Sequence, residues 1–513
     1  MMQRALISVF DKTGLDEFAA GLVELGVDLV GSGGTAEYIA ELGLPVTSVD
    51  ELTDVPELLG GRVKTLHPRI HAAILARRDS PEDMATLESE GIQPFDLVCV
   101  NLYPFGQVAA RKDVREEEAV EMIDIGGPAM LRAAAKNFVH VAPMCSIARY
   151  GPVLDELRLD HELSAETRRE LATEAFSHTA AYEASIASWF ADRETFPPRL
   201  ILSLEKDRDL SYGENPHQRA AYYSEVGARR HLLSRVDQVS GKELSFNNLG
   251  DLDAARAVLR AFELPACVIV KHANPCGVGV ASDVEEAYVK AYGSDPVSAY
   301  GGVVAVNRRI DPPLAARLSE QFVEVLIAPE YTADAVDVLT QKESTRILED
   351  RERRRASLGE RDFRRVLGGL LVQDADMEVD DRDTMEVVAG ETPDEGGWGD
   401  LLFAWRVCKH VLSNAIVIGS NLQTIGIGAG QMSRVDAVRL ALDKAREHGH
   451  ALDGAALASD AFFPFPDGPQ LALEAGVRTI VQPGGSKRDE DVIAAVEKAG
   501  ATIVFTRRRH FRH

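Results

Sequence analysis

Basic residues are in short supply in this 513-residue chain: 56 Lys and Arg stand against 81 Asp and Glu, a formal net charge of −25. A polymer of phosphates needs a basic surface, so no nucleic-acid partner is expected. Local basic pockets for small anions are not excluded. Cysteine is also sparse. The five Cys, at 99, 145, 267, 276 and 408, form no C-x-x-C pair, which argues against a zinc ribbon or a dithiol redox motif and fits a reducing compartment. No apolar run reaches the length of a membrane span. Met1 to Phe10 lack the layout of a signal peptide. The expected location is therefore cytoplasmic, with no membrane partner and no metal ligands.

What is present reads as a globular enzyme, with 45% hydrophobic and 27% charged residues. The length exceeds what one core serves, and the repeated change between helical and strand patterns predicts α/β layers. Residues 5–9 read as a first strand, and a helix follows with Leu15, Phe18, Leu22 and Leu25 on its apolar face. Val27 to Val30 is the next strand. It runs into Gly31-Ser32-Gly33-Gly34-Thr35 and a further helix. That order offers free backbone N–H groups at a helix amino end, where a phosphate is held. Arg62 and Lys64 lie in a Gly- and Pro-bounded loop that suits an anion. A strand over 97–102 carries Asn101 and ends at Tyr103; Asp124 opens the next helix, which leads to Lys136. Loops on one edge of a sheet can converge, although Asp124 and Lys136 also suit a structural salt bridge.

Residues 165–190 read as helix, and 195–210 as the boundary of the first domain. Ser211 to Gln218 and Ser245 to Leu249 are polar turns. Cys267 to Val270 predict a buried strand that Asn274-Pro275 and Gly277 stop, setting Lys271 and His272 side by side at its carboxyl end. Histidine exchanges protons near neutrality, and a neighbouring lysine can steady negative charge. Further strands are read at 303–306, 325–329 and 415–419. The acidic stretch 374–400 reads as an exposed excursion. Phe462, Phe463 and Phe465 offer either packing or an aromatic wall. The end of the chain, 506–513, reads as a frayed basic tail or an anion clamp.

Taken in order, several segments resemble one family from end to end: Ser-Gly-Gly-Thr at 32–35, Gly-Gly-Arg-Val-Lys-Thr-Leu-His-Pro at 60–68, Asn-Leu-Tyr-Pro-Phe at 101–105, Asp-Ile-Gly-Gly at 124–127, Tyr-Gly-Glu-Asn-Pro-His-Gln at 212–218, Lys-His-Ala-Asn-Pro-Cys-Gly at 271–277, Gly-Ile-Gly-Ala-Gly-Gln at 426–431 and Ser-Asp-Ala-Phe-Phe-Pro-Phe at 459–465. The chain resembles the bifunctional AICAR transformylase/IMP cyclohydrolases of purine biosynthesis. The resemblance implies a methylglyoxal-synthase-like parallel-sheet domain over 1–195 and a transformylase region of two cytidine-deaminase-like lobes over 196–513. It implies a homodimer with transformylase sites at the subunit interface. The deaminase zinc signature needs ligands beyond Pro275-Cys276; this sequence lacks them, which implies the fold without the metal.

The same resemblance implies site residues. For formyl transfer from 10-formyltetrahydrofolate to AICAR, His272 removes a proton from the amine and Lys271 stabilises the oxyanion. Ser211, Tyr212, Gly301, Glu324, Asn414, Arg434, Phe462 and Arg509 match AICAR positions. Val435, Phe462, Asp467, Ser486 and Lys487 match the folate side. For closure of FAICAR to IMP, Lys136 is the proton donor and acceptor, with Lys64, Tyr103 and Asp124 orienting the reacting groups. Asp11, Lys12, Thr13, Ser32, Gly33, Gly34, Thr35, Arg62, Thr65, Asn101 and Ile125 match the nucleotide pocket. Two departures stand out: Ser211 where members commonly have Arg, and Phe10 where some have Ser. Two other readings compete: a transformylase whose first domain only binds nucleotide, and a non-catalytic nucleotide-binding protein. The survival of Lys64, Tyr103, Asp124, Lys136, Lys271 and His272 argues against both.

Overall fold

A computed structural model describes residues 2–55, 59–111, 113–191, 195–226, 236–351 and 360–513. Two compact units result: Met1–Glu205 with Glu225–Arg229, and Lys206–Ser224 with Arg230–His513.

The first unit is built on five strands among the described residues, in the order Thr47–Ser48, Asp28–Gly31, Arg4–Val9, Leu97–Asn101, Ala142–Met144. Every pairing is parallel. Side chains alternate across such a sheet, and both faces are covered here. Ala5 and Ile7 pack with Phe18, Leu22 and Leu154 on one face. Leu6 and Val98 pack with Ile70, Leu131 and Ala172 on the other. Chain order reverses between the strands Arg4–Val9 and Leu97–Asn101. At such a switch point the flanking loops part and leave a crevice at the carboxyl ends of the strands.

The second unit holds a sheet of twelve strands among the described residues. Its order is palindromic. From the centre outward on one side run Asn274–Val280, Ala266–Lys271, Val303–Val306, Val325–Ala328, Arg346–Glu349 and Asp237–Ser240. On the other run Gln423–Gly428, Ile416–Ser420, Ala456–Ser459, Thr479–Gln482, Thr502–Phe505 and Glu386–Ala389. Each half begins with an antiparallel hairpin, and the pairings then follow the same pattern of antiparallel, parallel, parallel, antiparallel. The unit is two lobes of one topology joined through their central strands. Residues from the helices Phe246–Leu259 and Glu395–Cys408 share one face with strands of both lobes. Each lobe's other three long helices cover the opposite face.

Glycine sets the spacing at the lobe centres. A Cβ on Gly277 or Gly279 would overlap the carbonyl oxygens of Ala291 or Ala287, and one on Gly426 or Gly428 those of Ala441 or Ala437. The helices Val284–Ser294 and Arg434–Glu447 therefore lie directly on the backbone of the central strands.

Three expectations are corrected. Asn274-Pro275 and Gly277 do not stop a strand; they begin the return strand Asn274–Val280, whose register shifts at Pro275/Gly277. Pro is tolerated at such a bulge. The acidic stretch 374–400 is not a plain excursion: it supplies the edge strand Glu386–Ala389 and the start of the helix Glu395–Cys408, and Asp380 and Trp398 are buried. The final residues are neither frayed nor free. Their positive charge meets that acidic stretch: Arg508 pairs with Glu378 and Asp380 at 3.1 Å each, Arg507 pairs with Glu386, and buried His510 lies between Asp376 and Asp380.

Candidate active sites in the two units

In the first unit the crevice is lined by three loops that follow adjacent strands. Asn101, at the end of its strand, accepts from the Phe10 and Asp11 N–H groups at 2.6 and 2.9 Å, and its amide donates to the Asp11 carbonyl at 2.8 Å. It is a splint between two loops. Asp11 accepts from the backbone and hydroxyl of Thr13 at 2.9 and 2.7 Å, and that hydroxyl chiefly holds its pKa down. Thr35 is buried with its hydroxyl against the Val9 backbone at 3.1 Å, so it shapes the loop from behind. Ser8 and Ser32 hydroxyls meet at 2.6 Å.

The helix Gly33–Glu41 begins at Ser32, with no side-chain cap. The Thr35 N–H is taken by the Ser32 carbonyl at 2.9 Å, and beside Gly34 a Cβ would meet nothing within 4 Å, so the start of the helix is open. The Lys64 ammonium lies against Gly33, in the space a Cβ would occupy. A positive side chain beside uncapped helix N–H groups is an anion site.

Across the crevice, the Thr65 hydroxyl lies against Gly126. Asp124 accepts from the Gly127 N–H at 2.8 Å, and its own N–H donates to the Tyr182 hydroxyl at 2.8 Å. Tyr182 in turn donates to the Met122 carbonyl at 3.0 Å. Burial raises the Asp124 pKa, against the hydrogen bonds it accepts. Burial, then the Asp124 charge, raises that of Tyr103. The carboxyl is thus moved toward neutrality and the phenol kept protonated, a combination suited to proton exchange. Phe10 packs edge-on against Tyr103, ring centroids 5.5 Å apart, and its N–H is committed to Asn101. Ile125 is exposed beside Asp124. Lys12 is partly exposed. Arg62 pairs with Glu121.

Lys136 is exposed. It ends the helix that Gly126 begins. At about 1.5 Å per residue the two ends of those eleven residues are roughly 15 Å apart, and the helix runs back toward the amino edge of the parallel sheet. Asn137, next to it, is buried with its amide on the Ile74 and Ala76 carbonyls.

In the second unit Lys271 and His272 stand at the tip of the first lobe's hairpin. His272 and Ala273 both have positive φ, 53° and 65°, as a two-residue hairpin turn of right-handed strands requires. Lys271 Nζ donates to the Tyr300 carbonyl at 2.6 Å, and His272 is exposed. Both line a cavity of about 230 Å³ between the lobes, with Asn274, Asp295 and Lys444 among its walls. Asn274 Oδ1 accepts from the Leu412 N–H at 3.0 Å, tying the turn to the segment that carries Asn414.

Asn414 is held from both ends. Its amide donates to the Gln431 and Met432 carbonyls at 2.8 and 3.2 Å, and its Oδ1 accepts from Arg434 Nη2 at 2.6 Å. Arg434 is buried; its other nitrogen meets Ser459 Oγ at 2.9 Å and the fully buried Asp460. Both terminal nitrogens of Arg434 are thus engaged inside the lobe, and one of them orients Asn414. Glu324 is likewise engaged, accepting from Arg346 at 2.8 Å. Gly301 has φ 70° and donates its N–H to the Phe322 carbonyl at 2.8 Å. Tyr212 accepts through its carbonyl from the Phe246 N–H at 3.0 Å, and the Ser211 hydroxyl is spent on the Leu244 carbonyl.

Phe463 is core, while Phe462 and Phe465 are exposed and Arg488 lies 5.0 Å over the Phe465 ring. Val435 is partly exposed, and Asp467 and Lys487 are exposed. The Ser486 hydroxyl accepts from the Arg488 N–H at 3.1 Å. Arg509 lies 4.6 Å over the Phe511 ring and makes no ion pair among the described residues. Tyr212, Gly301 and Glu324 belong to the first lobe, whereas Asn414, Arg434, Phe462 and the folate set belong to the second. No group of three or more His, Cys, Asp or Glu able to hold a metal ion occurs among the described residues. No helix among them is long and apolar enough to cross a membrane.

Sequence reading missed Tyr182, Asp251 and Asp460. Asp251 left a signal: Gly-Asp-Leu occurs at 250–252 and again at 399–401, the same place in each lobe.

A family model described as an MGS-like domain matches residues 14–129. One described as the AICARFT/IMPCHase bienzyme matches residues 134–444. A solved structure titled "Crystal structure of ForH" is 38% identical over 37% of this chain and 100% of that one, with a TM-score of 0.34. The match to the bienzyme model spans more than half of the sequence, and the chain belongs to the AICARFT/IMPCHase bienzyme family, which carries out the last two steps of IMP synthesis: folate-dependent formylation of AICAR and cyclisation of the product.

Proposed function

We propose that the two activities divide between residues 1–195, which close the ring, and residues 196–513, which transfer the formyl group from 10-formyltetrahydrofolate. The observation that carries the division is that two separate units each present a set of proton-exchanging groups.

For formyl transfer, the AICAR amine is a poor nucleophile, its lone pair being delocalised into the ring. His272 takes its proton as the nitrogen attacks the formyl carbon. Lys271 stabilises the tetrahedral oxyanion; the bond from carbon to the folate nitrogen then breaks, and that nitrogen leaves with a proton. Asn414, oriented by Arg434, holds the carboxamide. Tyr212, Gly301 and Glu324 line the nucleotide. Arg509, with no acidic partner among the described residues, supplies the phosphate contact that Ser211 does not. Phe462, Val435, Asp467, Ser486 and Lys487 line the folate.

For cyclisation, the carboxamide nitrogen attacks the new formyl carbon and water departs. Asp124 accepts the proton, and Tyr103 donates a hydrogen bond to the developing oxyanion. Lys64 and the uncapped N–H groups after Ser32 hold the phosphate. Asp11, Lys12, Thr13, Thr65, Asn101 and Ile125 complete the pocket, with Arg62 and Thr35 at its margin. Lys136 has no step in this scheme. The enzyme works as a cytoplasmic homodimer with transformylase sites at the interface between copies.

The test follows tetrahydrofolate and IMP separately in a reaction of AICAR with 10-formyltetrahydrofolate, and IMP again from supplied FAICAR. Lys64→Ala is expected to lower cyclisation about 100-fold or more and spare tetrahydrofolate release. Lys136→Ala is expected to change cyclisation less than about threefold, consistent with a surface site. Loss of cyclisation in the Lys136 variant with retention in the Lys64 variant would reverse the assignment. Loss of both activities in a folded Lys64 variant would end the two-site division.

A further inference from the structure

The tip that carries Lys271 and His272 is held in an unfavourable backbone conformation. Two successive non-glycine residues with positive φ persist only where the surroundings over-determine them. The side chain that does so is Asp251, in the helix Phe246–Leu259. Its Oδ2 accepts from the His272 N–H at 3.2 Å and its Oδ1 from the Ala273 N–H at 2.6 Å. One carboxylate thus receives both N–H groups of the turn.

The second lobe repeats the device. Asn421 and Leu422 have φ 52° and 54°. Asp400, in the helix Glu395–Cys408, accepts from their N–H groups at 2.9 and 2.7 Å. The strained turn and its carboxylate are therefore one structural unit used twice. In the second lobe it presents Ser420 and Asn421, which the proposed chemistry does not use. In the first it presents the Lys-His pair.

We propose that Asp251 is a positioning residue for formyl transfer: by gripping the His272 and Ala273 N–H groups it fixes where the imidazole stands relative to Lys271. This rests on the reading that His272 and Lys271 carry that reaction. Asp400 is its internal control, since removing it breaks the same staple in a turn without catalytic side chains.

The experiment compares Asp251→Ala, Asp251→Asn, Asp400→Ala and His272→Ala in the full-length protein. It measures kcat and KM for formyl transfer, cyclisation of FAICAR, and thermal melting. Asp251→Ala should lose about 100-fold in kcat, the scale of a misplaced reacting group, with KM for AICAR changed less than about threefold. Asp251→Asn keeps one acceptor oxygen and should lose about tenfold. Asp400→Ala should keep kcat within about threefold while melting as much earlier as Asp251→Ala does. Should Asp251→Ala fail to fold, the Asn variant carries the comparison, with a cooperative thermal melt and KM for AICAR reporting an intact second unit. Full kcat in a folded Asp251 variant, or an equal kcat loss in Asp400→Ala, overturns the positioning role. Full activity in His272→Ala overturns the reading of the site itself, and with it the route through which Asp251 acts.

Discussion

The two lobes of the large sheet are built alike at their centres, yet the proposed chemistry uses only one of them. Each sends an antiparallel hairpin to the middle of the sheet, sets two non-glycine residues at positive φ at its tip, and staples the tip with an aspartate from the preceding helix. Each lays a helix against two strand glycines. What differs is the pair of side chains at the tip, Lys271-His272 against Ser420-Asn421, and what lies beside it. Among the described residues, the chain's end pairs with the second lobe alone, through Arg508 and His510 on Asp376 and Asp380. A protruding, rigid tip belongs to the architecture, and chemistry is added by residue type at one copy.

The sharpest way to test that asymmetry is at the tips. His272→Ala should lower formyl transfer by about 100- to 10,000-fold, the usual worth of a general base, leaving FAICAR cyclisation intact. Asn421→Ala, the same position in the other lobe, should leave formyl transfer within about threefold and cost stability alone, because Ala tolerates positive φ less well than Asn. Comparable kinetic losses in both would mean that the second tip also serves the reaction.

The likeness can be attacked from the glycines. Gly277→Ala and Gly426→Ala each push a methyl group into a helix carbonyl, Ala291 or Ala441. Each should destabilise by about 1–3 kcal/mol, the range of overpacking, read from denaturant melts. A large effect in one lobe and none in the other would show that the two centres are not packed alike.

Much of this was legible in the sequence, and the failures are instructive. The strand, Gly-rich loop and helix over residues 27–41 were readable because each part is local. Lys271 and His272 at a strand's end were readable for the same reason. Asn274-Pro275-Cys276-Gly277 was misread as a stop, since Pro and Gly normally punctuate. Gly277 is there for the helix that crosses it, a contact no local pattern carries. That Arg434 is held by Asp460 and itself holds Asn414 could not be read, because those partners are 26 and 20 residues away in sequence. The acidic stretch and the basic tail were each read alone, and each makes sense only against the other. The lobe repeat is nearly silent in residue identity: outside Gly-Asp-Leu at 250–252 and 399–401 and the paired strand glycines, packing constrains shape rather than residue type.

The smallest effect should come from the feature only the second lobe has. Burial opposes charge on His510, but hydrogen bonds to Asp376 and Asp380 outweigh it and raise its pKa. Burial likewise opposes charge on Asp376, but His510 and Lys409 hold it down at about 2. The raised histidine stabilises the fold fully below its ordinary value of about 6.5, and that share is lost as pH rises through the elevated value. The depressed carboxylate stabilises above its ordinary value of about 3.9, and that share is lost as pH falls toward 2. The tail should therefore grip most firmly between about pH 4 and 6.5. Melting of the wild type compared with His510→Gln should differ most in that window, by about 2–4 °C, and the difference should shrink toward pH 9. A difference that stays constant from pH 5.5 to about 9 would mean that His510 holds the tail by packing against Trp405, 5.4 Å away ring to ring, rather than by charge.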